Sequence, residues 1–157
     1  MNWFVNNREV IRNLAINTGT SQNPTFTPFC TTSEVSLTID GEEKDFFVFC
    51  DAIKRSILTG VKLTIKATVK IDMNNSAVVD MLGKLQAVIE DGSIGQFNNV
   101  LTQFELLDDI SGGILTYVKY QVPTVMKLNE TGGAAEDEGE FDLELVINGK
   151  GTKVTSA

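Results

Sequence analysis

The chain has 157 residues, with 13 Lys/Arg against 21 Asp/Glu and no histidine. That length suits one domain, residues 1–157, with a real core, and no apolar run approaches the roughly 20 residues of a membrane-spanning helix. The missing histidine removes the commonest general base and the commonest metal ligand, and the net charge of −8 speaks against a phosphate-binding surface.

The opening MNWFVNNREV lacks the basic start and long apolar stretch of a signal peptide, so an unexported protein is expected. Residues 1–17 have mixed periodicity. Val10, Ile11 and Leu14 suit a helical face, whereas Val10, Arg12, Leu14 and Ile16 alternate, so the segment is taken as an arm or edge strand. Trp3 and Phe4 at its start need cover from elsewhere. NTGTSQNPTFTP, residues 17–28, is rich in turn formers and is expected to be a loop. Val35 to Ile39 alternates as a short strand, and Asp40-Gly41 signals a tight turn. DFFVFC, residues 45–50, is apolar on both faces, as a strand covered on both sides would be. Residues 51–60 are expected to form a loop.

VKLTIKATVKID, residues 61–72, alternates without a break. Val61, Leu63, Ile65, Ala67, Val69 and Ile71 face one way, and Lys62, Lys66 and Lys70 the other. That is a β-strand with one buried and one wet face. NNSAVVDMLG predicts a short helix over about 75–82, capped by Asn or Ser and closed by Gly83. Leu85 to Glu90 then alternates as a strand ended by Asp91-Gly92, and Phe97 to Leu107 is another strand. Residues 108–113 make a turn, and ILTYVKYQV, residues 114–122, is a strand that Pro123 stops or bends. NETGGAAEDEGE, residues 129–140, is a flexible acidic loop with nothing to anchor it. EFDLELVI closes the fold: Phe141, Leu143, Leu145 and Ile147 alternate with Glu140, Asp142 and Glu144. A polar tail runs from 148 to 157, and the chain contains no internal repeat.

Charge is unevenly spread. Residues 1–70 hold eight Lys/Arg and seven Asp/Glu, and residues 71–157 hold five and fourteen. The lysine strand and the acidic strand are suited to electrostatic register with one another, within a subunit or across one. Cys30 and Cys50 lie on apolar segments and are expected to be buried, reduced thiols. Glu136, Asp137, Glu138, Glu140 and Asp142 crowd together without the spacing of a calcium loop. Ser and Cys have no histidine to activate them, so no catalytic residue, metal site or cofactor is expected.

This order of elements resembles the major tail tube proteins of tailed bacteriophages and, more distantly, the tube proteins of contractile machines. It runs from an N-terminal arm through PTFTPFC, SEVSLTIDGEEKDFFVFCDAIKRSILTG, VKLTIKATVKID and NNSAVVDML to an acidic loop and closing strand, about residues 10–150. The resemblance implies a mainly β, sandwich or barrel-like domain with one flanking helix. It also implies hexameric rings stacked into a hollow tube that conducts DNA, with other tail proteins as partners and no membrane. The place of such a protein is the virion tail, after assembly in the host cytoplasm. On this reading Glu140, Asp142 and Glu144 line the lumen. Trp3, Phe4, Phe46, Phe47, Lys62, Lys66, Lys70, Glu136, Asp137 and Glu138 are candidates for subunit and ring contacts. The alternatives are a small ligand-binding β-barrel, a single-ring tail terminator or head–tail connector, and a carboxylate hydrolase.

Overall fold

A computed structural model describes residues 4–20, 22–30, 32–46, 55–132 and 134–154. The elements are a 3-10 turn (Asn7–Glu9), β1 (Ile11–Asn17), β2 (Phe26–Pro28), β3 (Thr32–Phe46), β4 (Arg55–Lys70), α1 (Ser76–Asp91), α2 (Gly95–Asn98), β5 (Val100–Ser111), β6 (Ile114–Thr131), β7 (Glu140–Ile147) and β8 (Thr152–Val154). One antiparallel sheet runs in the order β2-β1-β5-β6-β7-β4-β3, with β8 added to β6. It curls until Cα atoms of β1 and β3, near its two ends, come within 8 Å of each other. The fold is therefore mainly β and barrel-like, as expected.

The period-two segments supply the inner wall. Ile65, Ala67 and Val69 of β4 and Phe141, Leu143 and Leu145 of β7 are buried in one cluster with Ile16, Val100, Phe104, Val122 and Met126. Ala77, Val78 and Met81 bring α1 onto the same cluster. Two buried threonines satisfy each other across β5 and β6: the Thr102 and Thr124 hydroxyls lie 3.1 Å apart, and Thr124 donates to the Val100 carbonyl at 2.7 Å.

The helix is twice as long as its sequence suggested. It starts as expected, with the Asn75 side chain accepting the Ala77 N–H at 2.9 Å. Gly83 does not end it, and residues 85–90 are helix rather than strand. Val78, Met81, Leu85 and Val88 recur at helical spacing on the inward side, all buried or half-buried, and the 85–87–89 alternation is incidental to that stripe. The chain terminates the helix at Gly92, whose φ of +66° and N–H bond to the Val88 carbonyl form a left-handed cap. The two glycines are therefore expected to respond oppositely to alanine. Gly83→Ala, in open space within the helix, should stabilise by about 0.5–1 kcal/mol. Gly92→Ala should destabilise by about 1 kcal/mol through its positive φ. Urea midpoints of the two variants, moving in opposite directions, check this.

Other boundaries also differ from the expectations. Asp40-Gly41 is no turn: β3 runs straight through it, and residues 55–60 are strand rather than loop. A Cβ on Gly41 would meet Leu58 Cδ2 at 3.0 Å, so this glycine makes room for a cross-strand leucine. Beyond Leu107 the strand β5 continues to Ser111, and the turn is confined to Gly112-Gly113, both at positive φ. Phe97 lies in α2, so that strand starts only at Val100. Pro123 neither stops nor bends β6. Its carbonyl accepts the Asn148 N–H at 2.8 Å just past the end of β7, so its missing N–H costs no ladder bond. The polar tail from 148 contributes β8, with Lys119 opposite Val154.

The mixed periodicity of the N-terminal segment has a cause. Asn13 adopts φ +54°, and the β1–β5 register shifts between Arg12 and Ala15. This bulge turns Ile11, Leu14 and Ile16 inward while Arg12 faces out, which breaks both simple periods. Cys30 is exposed rather than buried, while Cys50 and the 47–50 part of the expected apolar strand lie outside the described residues.

Candidate assembly surface

The face of the sheet opposite the core carries charge in rows. Antiparallel pairing sets Lys66 opposite Glu144, Thr68 opposite Asp142 and Lys70 opposite Glu140, and Lys127 of β6 stands on the other side of Glu144. The expected electrostatic register between the lysine and acidic strands is thus formed within one subunit. A second row repeats the arrangement on β1, β5 and β6. Arg12 Nε donates to Glu105 Oε2 at 2.8 Å, and Lys119 Nζ lies 4.0 Å from Glu105 Oε1. Cations and carboxylates alternate across the wall, so Glu140, Asp142 and Glu144 do not form a purely acidic strip. The register partners of Asp142 are Thr68 and Glu130, which leaves it the most acidic point of the row.

The acidic loop is anchored, contrary to the expectation that nothing could hold it. The Lys70 ammonium donates to the Glu140 carboxylate and sits 3.4 Å from Glu138, and the Ile71 N–H reaches the Gly139 carbonyl at 2.9 Å. Glu136, Asp137 and Glu138 remain exposed around it. At the other end of the wall, Tyr117 Oη donates to Glu9 Oε2 at 2.6 Å while the Arg12 guanidinium stacks 3.4 Å from the tyrosine ring centroid. These contacts pin the N-terminal segment to the sheet. No feature of the sequence near Glu9 pointed to a partner 108 residues away.

Two of these contacts respond to alkali. The hydrogen bond to Glu140 raises the Lys70 pKa above its ordinary value, against a smaller opposing effect of burial. The hydrogen bond to Glu9, reinforced by burial, raises that of Tyr117. In both groups folding favours the protonated form. Their contributions are complete below the unfolded values of about 10 and are lost as pH rises through the folded ones. Thermal stability should therefore be flat from neutral pH to about 9.5 and fall above 10. Tyr117→Phe together with Lys70→Met should flatten the fall, read by thermal melts between pH 8 and 11.

The most exposed part of the fold is the far half of the β3–β4 hairpin. Residues 38–46 and 55–62 are all exposed. Register nonetheless prolongs the core face into it: Ile39 pairs with Leu63, Gly41 with Val61, and Glu43 with Leu58. Ile39, Val61 and Leu58 are 66%, 60% and 64% exposed, an apolar stripe on a ribbon that leaves the body. Lys62 pairs with Asp40 on the opposite side, and Phe46 stands at the end of the described ribbon, 39% exposed. Phe4 is 91% exposed, whereas Trp3 and Phe47 lie outside the described residues.

No family model and no curated protein matches the sequence. Solved structures do match across nearly the whole chain. A chain from the tail of an empty gene transfer agent particle, refined with C6 symmetry, superposes with a TM-score of 0.58 at 12% identity, covering 97% of this chain and all of that one. The SPP1 tail tube gives 0.60 at 9% identity, covering 92% and 76%. The baseplate of the anti-feeding prophage, symmetrised sixfold, gives 0.51 at 12% identity, covering 98% and 97%. The chain has the tail-tube fold.

Proposed function

We propose that this chain, folded as tail-tube subunits fold, is a structural virion protein without catalytic activity. It assembles into hexameric rings that stack as a hollow tail tube conducting DNA to the host. The observation that carries this reading is the uncovered apolar stripe of the β3–β4 hairpin. A ribbon exposing Ile39, Leu58 and Val61 is an aggregation liability in a monomer and a joining element in a polymer. The sixfold symmetry named for two of the similar structures supports rings of six.

The wall carrying Glu140, Asp142 and Glu144 is the proposed lumen lining. Its lysines are set opposite carboxylates, so passing phosphates meet few unneutralised cations and release few counterions. The ribbon, with Phe46 and Lys62, and the loop with Glu136, Asp137 and Glu138 are the proposed contacts between subunits and rings, together with Trp3, Phe4 and Phe47. Lys66 and Lys70 hold carboxylates of their own chain. The partners are further copies of the chain and the other proteins of a virion tail put together in the host cytoplasm.

Negative-stain electron microscopy of the full chain at rising concentration, beside light scattering, tests the proposal. Rings or hollow tubes of sixfold symmetry are the expected result. A monodisperse monomer at every concentration, in the presence of preformed tail tips as initiators, would overturn it.

A further inference from the structure

The curled sheet does not close. Between β1 and the first half of β3 lies an open groove of about 960 Å³, with Val10, Phe29, Val35, Leu37 and Leu106 among its apolar lining and Arg8, Arg12 and Glu34 as its charged groups. Val10 is 39% exposed within it, while Phe29 is buried beneath. The molecule thus carries an apolar stripe without cover and an apolar groove without filling, at different places along one strand.

We infer that the groove between β1 and β3 receives the apolar face of the β3–β4 hairpin of a second copy of this chain. The inference rests on the self-assembling subunit proposed above and names the surface on which one copy seats the next. Three observations support it. The stripe is out of reach of its own groove, because β3 passes through both. Leu58 pairs with Glu43, six residues beyond Leu37, a distance of about 20 Å along an extended strand paired throughout with β4. The charges also match. The β3 arm of the ribbon carries Asp40, Glu42, Glu43 and Asp45 against the single Lys44, whereas the groove offers Arg8 and Arg12 against the single Glu34. Finally, a stripe and a groove at different places on one molecule make a heterologous, head-to-tail contact. Contacts of that kind generate closed rings or continuing stacks rather than isolated dimers.

Cys30, exposed on the groove, supplies a reporter. In a chain carrying Cys50→Ser, Leu58→Cys places a second thiol on the stripe, and a short thiol–thiol cross-linker is applied to the assembled protein. The expected result is a ladder of covalent dimers, trimers and higher species, lost on Cys30→Ser. Val61→Cys, in the next cross-strand pair toward the body, serves in the same way if Leu58→Cys alters the thermal transition. Rings or tubes that yield no ladder with either variant, or a ladder that survives Cys30→Ser, would overturn the groove as receptor and leave self-assembly standing. Failure of the parent chain to form any particle would overturn the subunit reading itself, and this inference with it.

Discussion

Leu58→Asp is expected to leave the monomer folded and to abolish its assembly. Leu58 is 64% exposed on the far half of the hairpin, so in the isolated subunit the change should stay within about 0.5 kcal/mol, as surface substitutions do. In an assembly that covers the stripe, the same change buries a charge where a leucine had packed against apolar groups. The loss of a central anchor costs at least about 2 kcal/mol, roughly 30-fold in affinity per contact. Repeated at every contact of a polymer, that is enough to remove rings and tubes at concentrations where the parent forms them. Sedimentation beside a thermal melt separates the two effects. Particles as abundant as the parent's would show that the stripe is not a joining surface. A large drop in melting temperature would show instead that the ribbon belongs to the monomer's core.

The opposite behaviour is expected at Phe141. It is fully buried on β7, with Val69 of β4 and Thr131 of β6 opposite it in the ladder. Phe141→Ala removes the largest buried side chain of that strand and leaves a cavity that a wall of paired strands cannot collapse to fill. The cost is about 3–5 kcal/mol, a large share of a total stability of about 5–15 kcal/mol. At this chain length each kcal/mol moves the midpoint by about 2–4 °C, so the melting temperature should fall by roughly 6–20 °C. Its neighbour provides the contrast. Glu140 holds a partly exposed ion pair with Lys70, and Glu140→Gln should cost no more than about 1 kcal/mol once solvent screening is counted. A Phe141→Ala protein as stable as the parent would show that β7 is not the inner wall assigned here.

The two strands at the centre of the fold could be recognised from their residues alone. VKLTIKATVKID and EFDLELVI each put apolar groups on one face, and their opposite charges suggested a pairing that the register of Lys66 with Glu144 and Lys70 with Glu140 bears out. Period two is a local property, fixed by the pleat of the backbone, and so is the N-cap at Asn75. The sequence therefore determined a mainly β chain, its central strands, one helix start and the order of elements that resembles a tail tube.

What it left open depends on neighbours distant in the chain. Asp40-Gly41 has the local chemistry of a turn, but β4 continues beside it, and the cross-strand ladder outweighs the turn preference of two residues. Gly83 has the local chemistry of a helix end, but the core reaches past it to Leu85 and Val88, half-buried on the inward side, and their packing carries the helix to Gly92. The hairpin stripe could not be read for the same reason. Ile39, Leu58 and Val61 continue the pattern that buries Ile65, and only the tertiary structure shows the body of the protein ending before it covers them. Alternation fixes which side of a strand is apolar. Whether that side meets its own core or waits for another copy is decided by where the rest of the chain folds.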